Sequence, residues 1–464
     1  MPPSNDNSTS SDNIQTAGAE APLACALLVA RGVRDPYLKG GALCDVAEGY
    51  VKLGDRKKAT KALSEALRAA GDVRNHEEKA QLLLDIACKC CRARDLEKAL
   101  RAAKRISEPA CLFYALRRIA GAWAEEGDYD KALATAESIK SAGPKAVALS
   151  AIAAASAAAG QKGRTRELLA KLFSSFQQKR GASDMDWALA ETADNLAEAG
   201  LFRQALRAVR KIRGAYWKGR ATAQIADAFA GAGKREKCLA KLSDAVEMAS
   251  SVPEAFRRVE LLTLISGAYL DCEERDAAAG ILEKCSASAR RIRDRVDKSI
   301  ALGTIAFACV GVGDYQQALK ITNAIDERYG RAMQLALVAG GFAEGGIFDK
   351  ALQVAGRIRD REALGVALAA IASGFARRGH FDQALWMAQS IKDAEGKASA
   401  LRNVANVYLE SGLYIDALQT AGKIGLRHVQ SRTLVDMATE YAETGHTPGP
   451  DETRILEVIA NQHT

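Results

Sequence analysis

The residue types that carry chemistry are present in this sequence, but their spacing suits little of it. Five histidines, His76, His380, His428, His446 and His463, are scattered, with no HExxH and no pairing one helical turn apart that would hold a metal. The stretch CKCC places Cys88 and Cys91 one turn apart with Cys90 between them, yet no second Cys or His pair stands nearby to complete a tetrahedral site. These thiols read as buried structural groups. No GxxxxGK[ST] occurs, and no GxGxxG follows a strand. The expectation is therefore no catalytic residues, no metal and no cofactor: not an enzyme. What remains suits binding. The run FRQALRAVRKIRGAYWKGRA, 202 to 221, carries Arg203, Arg207, Arg210, Lys211, Arg213, Lys218 and Arg220 without one acid, beside Tyr216 and Trp217. Basic groups next to aromatics can hold nucleic acid or an acidic peptide, and the plainer reading of the same run is a solvated ridge on a helix.

The elements that position these groups are written in a recurring phrase. EEGDYDKALATAESI at 125 to 139 returns as EAGLFRQALRAVRKI, GVGDYQQALKITNAI, EGGIFDKALQVAGRI, RRGHFDQALWMAQSI and ESGLYIDALQTAGKI. Taking its Gly as a corner, the equivalents are Gly54, Arg94, Gly127, Gly160, Gly200, Gly233, Glu273, Gly313, Gly346, Gly379, Gly412 and Gly445, spaced by either 33 or 40 residues. Seven residues before the corner stands Ala in eleven of the twelve, and four before that stands Leu in eleven of the twelve, which is one face of a helix. Past the corner the fifth residue is small, so two backbones can approach closely and each unit folds as an antiparallel helix pair. Gly suits a corner that needs a left-handed residue, and Arg94 and Glu273 should each cost about 1 kcal/mol there.

Short units carry Leu or an aromatic two residues past the corner. The four long ones, cornered at Gly54, Gly160, Gly233 and Glu273, carry Arg56, Lys162, Arg235 and Arg275 instead. The seven extra residues predict a second helix longer by about two turns. The unit 144 to 165 is weakly specified, with Ser156 in the aromatic slot, and is the expected place for any hinge.

The slots together resemble the tetratricopeptide repeat over residues 21 to 446, with units one residue short of the family's usual length, no closing proline, and four stretched units. The resemblance implies an all-α solenoid of about twelve helix-turn-helix units wound as a right-handed superhelix, working as a protein-binding scaffold. It also implies that first helices line a concave groove, through the slots two before and one and five after the repeated Leu. Carried over, those slots give Tyr114, Arg117, Trp187, Asp194, Arg220, Asp227, Arg402, Asn406 and Arg432. Among them stand small residues such as Cys44, Ala190, Ala223, Gly303, Ala336, Gly340 and Ala369, expected to leave a smooth channel. Arg402 and Asn406, one turn apart, resemble half of a clamp for a peptide carboxylate.

Composition agrees with one long array: 464 residues, only nine prolines, 48% hydrophobic and 6% aromatic. Residues 1 to 20, rich in Ser, Asn, Asp and Thr, read as a disordered tail, 21 to 448 as the solenoid, and 449 to 464 as a capping helix and tail. Ten cysteines without paired spacing point to a reducing, cytoplasmic setting, no stretch is long and apolar enough for a membrane, and the net charge of +8 is mild. The partner expected is another protein or peptide. RNA bound through the basic patch 203 to 220 is the alternative, although the slot after the repeated Leu holds no consistent set of base readers.

Overall fold

Alanine, leucine and long charged residues, the strongest helix formers, fill the repeated phrase, and glycine is concentrated where a helix must stop. The computed structural model describes residues 8–176, 183–326 and 328–462; among them the backbone is helices and the turns joining them, without a strand. His463 lies outside the described residues. The first helices are α2 (Pro36–Lys52), α4 (His76–Arg92), α6 (Pro109–Glu125), α8 (Ala142–Ala158), α10 (Ser183–Glu198), α12 (Ala215–Gly231), α14 (Ala255–Asp271), α16 (Arg295–Val312), α18 (Arg328–Glu344), α20 (Arg361–Arg377), α22 (Ala394–Glu410) and α24 (Arg427–Thr444). The second helices are α3 (Arg56–Asp72), α5 (Leu96–Ala103), α7 (Tyr129–Glu137), α9 (Lys162–Ser175), α11 (Phe202–Val209), α13 (Arg235–Ser250), α15 (Arg275–Ala289), α17 (Tyr315–Asn323), α19 (Phe348–Ala355), α21 (Phe381–Ser390) and α23 (Tyr414–Gly422). Two helices stand outside this alternation, α1 (Ser8–Arg31) at the start and α25 (Pro450–Asn461) at the end.

All twelve corners have positive φ, including Arg94 at 59° and Glu273 at 63°. A left-handed residue turns the chain through the end of each first helix, and at these two positions a side chain bears the strain that Gly avoids elsewhere. An aspartate then starts several second helices: Asp128 Oδ1 accepts from the Lys131 N–H at 3.1 Å, and Asp55, Asp95 and Asp314 do the same three residues on. These four aspartates are caps. The small fifth residues are buried throughout, from Ala59 to Ala417, where each second helix meets its first. The long units have second helices of 17, 14, 16 and 15 residues (α3, α9, α13, α15), against 8 to 10 in the short ones, as the spacing requires.

The aromatic after the corner of a short unit reaches the aromatic slot of the next first helix. Phe202 stacks on Phe229 at 4.2 Å, Phe348 on Phe375 at 4.0 Å and Phe381 on Tyr408 at 4.4 Å. In the unit of α8, Ser156 Oγ instead lies 3.1 Å from Thr165 Oγ1, a buried polar pair in place of rings.

The helices gather into two compact bodies, residues 1–115 with 346–464, and residues 116–345. In the first body the chain's beginning meets its end. Helix α24 has no second helix of its own; α1 packs along it as α3 packs along α2, and also touches α2 and α25. Ala19, Leu23, Ala26, Val29 and Ala30 of α1 are fully buried. Ser431 Oγ donates to the Ala26 carbonyl at 2.9 Å, and the Arg427 guanidinium donates to that of Gly32. A Cβ at Gly49 of α2 would lie 2.8 Å from Leu23, so the glycine makes room for α1. Burying side chains such as Leu23 and Val29 contributes about 1.5 to 3 kcal/mol each. Composition assigned residues 1 to 20 to a tail, but α1 begins at Ser8, so much of that polar stretch is the first part of this helix. Beyond Gly445, Glu452 of α25 is tied by Tyr441 Oη at 2.8 Å, His446 Nε2 at 2.9 Å and the Gly449 N–H at 2.7 Å. Burial raises its carboxyl pKa, but these donors outweigh burial and hold it below the usual range.

Candidate binding surface

The second body carries a trough of about 480 Å³ on the exposed side of three successive first helices, α12, α14 and α16. Its walls include Tyr216 and Arg220 of α12, Phe256 and Leu264 of α14, and Ile300 and Phe307 of α16. Ile300 and Phe307 are seven residues apart, two turns on one helix face, so both side chains point the same way. They are 52% and 60% exposed, and Leu264 is 42% exposed. Large apolar groups gathered on a surface are the unusual feature here. At one end Arg257 sits 5.3 Å from the Tyr216 ring and Arg220 lies 5.7 Å from that of Trp217. The Arg220 Nε is buried without a hydrogen-bond partner. Further along α12, Asp227 is exposed and lies close enough to Asp271 of α14 to feel its charge.

Other slot residues of this body are tied to their neighbours. Arg117 of α6 reaches past the alanine-rich α8 to α10, donating to Asn195 Oδ1 at 2.7 Å and meeting Glu191 at 3.5 Å. Asn195 Nδ2 donates in turn to Ser150 Oγ of α8 at 2.8 Å. Asp194 accepts from Gln224 Nε2 at 2.9 Å. Burial, with Glu198 and Glu191 nearby, pushes the Asp194 carboxyl up to about 6, and Arg117 and Arg220 offset this only in part. Trp187 of α10 is half-buried.

In the first body Tyr114 is exposed, tilted against Phe113 at 5.1 Å. Arg402 and Asn406 of α22 both donate to Asp436 Oδ2 of α24, at 2.8 Å and 3.4 Å. The two groups that resemble half of a carboxylate clamp thus already hold a carboxylate, one supplied by the next repeat. Arg432 lies 3.8 Å from Asp45 of α2, and Glu48 of α2 is paired with both Lys89 and Arg92 of α4.

The small slot residues do not form an open channel. Cys44, Ala190, Ala223, Gly303, Ala336, Gly340 and Ala369 are buried. A Cβ at Gly303 would meet Gln334 of α18 at 2.9 Å, showing how tightly the neighbouring first helix fits there. Their size brings adjacent first helices together, and in α16 the slots two before and five after the Leu face outward. Those outward slots already contained Ile300 and Phe307; selecting polar groups from the pattern passed over them, although two apolar residues in slots bound for water were the signal.

The basic run divides by element. Arg203, Arg207, Arg210 and Arg213 are exposed, while Lys211 and Lys218 are half-buried. Arg207 of α11 sits 4.3 Å from the ring of Phe173 on α9, and Asp186 Oδ2 accepts from the Gly214 N–H at 2.7 Å at the turn into α12. Cys90 and Cys91 are buried and Cys88 half-buried, and burial pushes the Cys90 thiol up to about 12. Among the described residues no three His, Cys, Asp or Glu side chains are grouped to hold a metal ion, and no helix is long and apolar enough to cross a membrane.

The fold is that of tetratricopeptide-like helical repeats. No protein-family model matches the chain, and the search of curated proteins gives no match. Among solved structures, Ton1535 of Thermococcus onnurineus is 19% identical, with a TM-score of 0.24 over 76% of this chain and 98% of its own. A Rap protein in complex with competence and sporulation factor is 13% identical, with a TM-score of 0.29 over 77% and 99%. A STAND protein of Pyrococcus horikoshii with a tetratricopeptide repeat sensor is 15% identical, with a TM-score of 0.31 over 82% and 61%. Likenesses of this degree leave function to the chain's own surface.

Proposed function

We propose that the protein is a non-catalytic scaffold that captures a segment of another polypeptide against its first helices, with the trough of α12, α14 and α16 as the anchor. The observation that carries this reading is the outward placement of Ile300, Phe307 and Leu264 at half exposure around a cavity of about 480 Å³. Burying such groups contributes about 25 cal/mol per Å² of apolar surface covered, the kind of gain an amphipathic segment provides when its apolar residues enter a groove. Arg220 and Glu260 line the trough and Arg257 sits against the Tyr216 ring, so charged groups of both signs stand ready to pair with the polar flank of that segment. The remaining slot residues Tyr114, Arg117, Trp187, Asp194, Arg402, Asn406 and Arg432 belong in this reading to the flanks, and several of them are held by neighbouring repeats.

Panning a random peptide library against the full chain tests the proposal. Peptides rich in apolar residues at helical spacing should be enriched, and Phe307→Asp together with Ile300→Asp should abolish their binding while leaving the melting temperature unchanged. Selected peptides that bind the double variant as tightly as the parent would overturn it.

A further inference from the structure

A second surface, on the opposite set of helices, has a different chemistry. Between the second helices α9 and α11 lies a cavity of about 840 Å³ whose lining includes Lys162, Arg166 and Phe173 of α9, Leu201, and Arg207 of α11. On α9, residues 162, 166 and 173 fall at i, i+4 and i+11, which is a single helix face. On α11, Arg203 stands one turn before Arg207 and is exposed. The nearby acids are committed elsewhere: Arg164 takes Glu167 at 3.1 Å and Asp130 at 3.6 Å, and Lys171 and Lys145 take Glu137 at 2.9 and 3.0 Å. Among the described residues Lys162, Arg166 and Arg207 have no carboxylate partner. Cations held around an apolar floor, with Asp130, Glu137 and Glu167 paired to other bases, form a surface short of negative charge.

We infer that this cavity is a docking site for an acidic peptide segment of a partner protein that inserts one apolar side chain between α9 and α11, independent of the first-helix trough. The floor decides between polypeptide and nucleic acid. Phe173 is only 4% exposed and its ring is covered by the Arg207 guanidinium at 4.3 Å, so no aromatic face is free for a base to stack upon. An apolar side chain instead enters beside Leu169 and Leu201, while flanking carboxylates pair with Lys162, Arg166 and Arg207. From residue 162 to 173 the α9 face runs about 16 Å, enough for about five extended residues.

Fluorescence anisotropy of the full chain with a labelled glutamate-rich peptide bearing one central leucine tests the inference, with the same peptide carrying serine in its place and a single-stranded RNA of matched charge as competitors. The leucine peptide should bind saturably, and Arg166→Glu with Arg207→Glu should weaken it by about tenfold or more. The serine peptide should bind severalfold more weakly, and Phe307→Asp should change nothing, which separates this site from the trough. Arg166→Gln, which removes one charge without adding another, should give a smaller loss, and both sets of variants should keep the parent's melting temperature. RNA binding tighter than the leucine peptide, equal affinity for leucine and serine peptides, a leucine peptide indifferent to charge reversal, or no saturation at millimolar peptide would each overturn it.

Discussion

The first helices α22, α24, α2 and α4 and the first helices α12, α14 and α16 are written by the same repeat, but their side chains end in opposite states. In the first set, charges on one helix meet charges on the next: Arg402 and Asn406 on Asp436, Arg432 near Asp45, and Lys89 and Arg92 on Glu48. In the second, Ile300, Phe307 and Leu264 face outward at half exposure. A slot filled by a neighbour's counter-charge holds the stack together, and one left apolar toward water is a place for something else to bind. One sequence pattern therefore supports two tasks, assembly and capture, depending on which residues stand on the faces of its first helices.

Substitutions that exchange these states show how far the division holds. The largest effect is expected at Leu401, which is 1% exposed in the seam of α22. Leu401→Glu buries a charge without a partner and should cost about 4 kcal/mol, with faster amide exchange concentrated around 380 to 445. Unchanged protection in that stretch would mean that the seam does not carry the stack. Next comes Asp436→Ala, which leaves Arg402 and Asn406 without their carboxylate; with both partners about a third exposed, the loss should be about 1 kcal/mol in urea denaturation. A loss of several kcal/mol would instead mark the pair as central to the fold.

Phe307→Asp should shift stability by no more than about 0.5 kcal/mol, because a side chain 60% exposed has little burial to lose. A cooperative destabilisation there would place Phe307 in a core and remove the contrast. The smallest effect depends on pH. Asp194 titrates near 6 in the folded chain, above its ordinary value of 3.8, so its contribution is fully present below about 4 and lost as pH rises through about 6. Asp194→Asn should melt slightly higher than the parent at pH 7, the advantage fading below pH 6. An advantage that persisted unchanged to pH 4 would exclude Asp194 as its source.

Much of this was legible in the residues, because the repeat is a local pattern. Counting the phrase located even Arg94 and Glu273 as left-handed corners, where no glycine marks them, and a seven-residue difference in spacing separated the long second helices from the short ones. Long-range partners were not legible. Nothing in the stretch around Ala26 points to Ser431, 405 residues away, and nothing in Arg402 announces that Asp436 will occupy it. The outward slots were readable as positions, but a search for hydrogen-bonding groups looked past Ile300 and Phe307, whose exposure becomes meaningful only once the neighbouring first helices are in place. The cavity between α9 and α11 depends in the same way on Phe173 and Arg207 meeting across two repeats.

The pairing of α1 with α24 has a consequence for biosynthesis. Helix α1 is synthesised long before α24 and must wait for it before its seat is complete, with part of its apolar stripe uncovered in the meantime. A nascent chain stalled before α24 would keep that sticky stripe, open to chaperones or to a second nascent chain on the same message. Closure of the first body therefore waits on the synthesis of α24, since Ala26 and its partner Ser431 stand 405 residues apart.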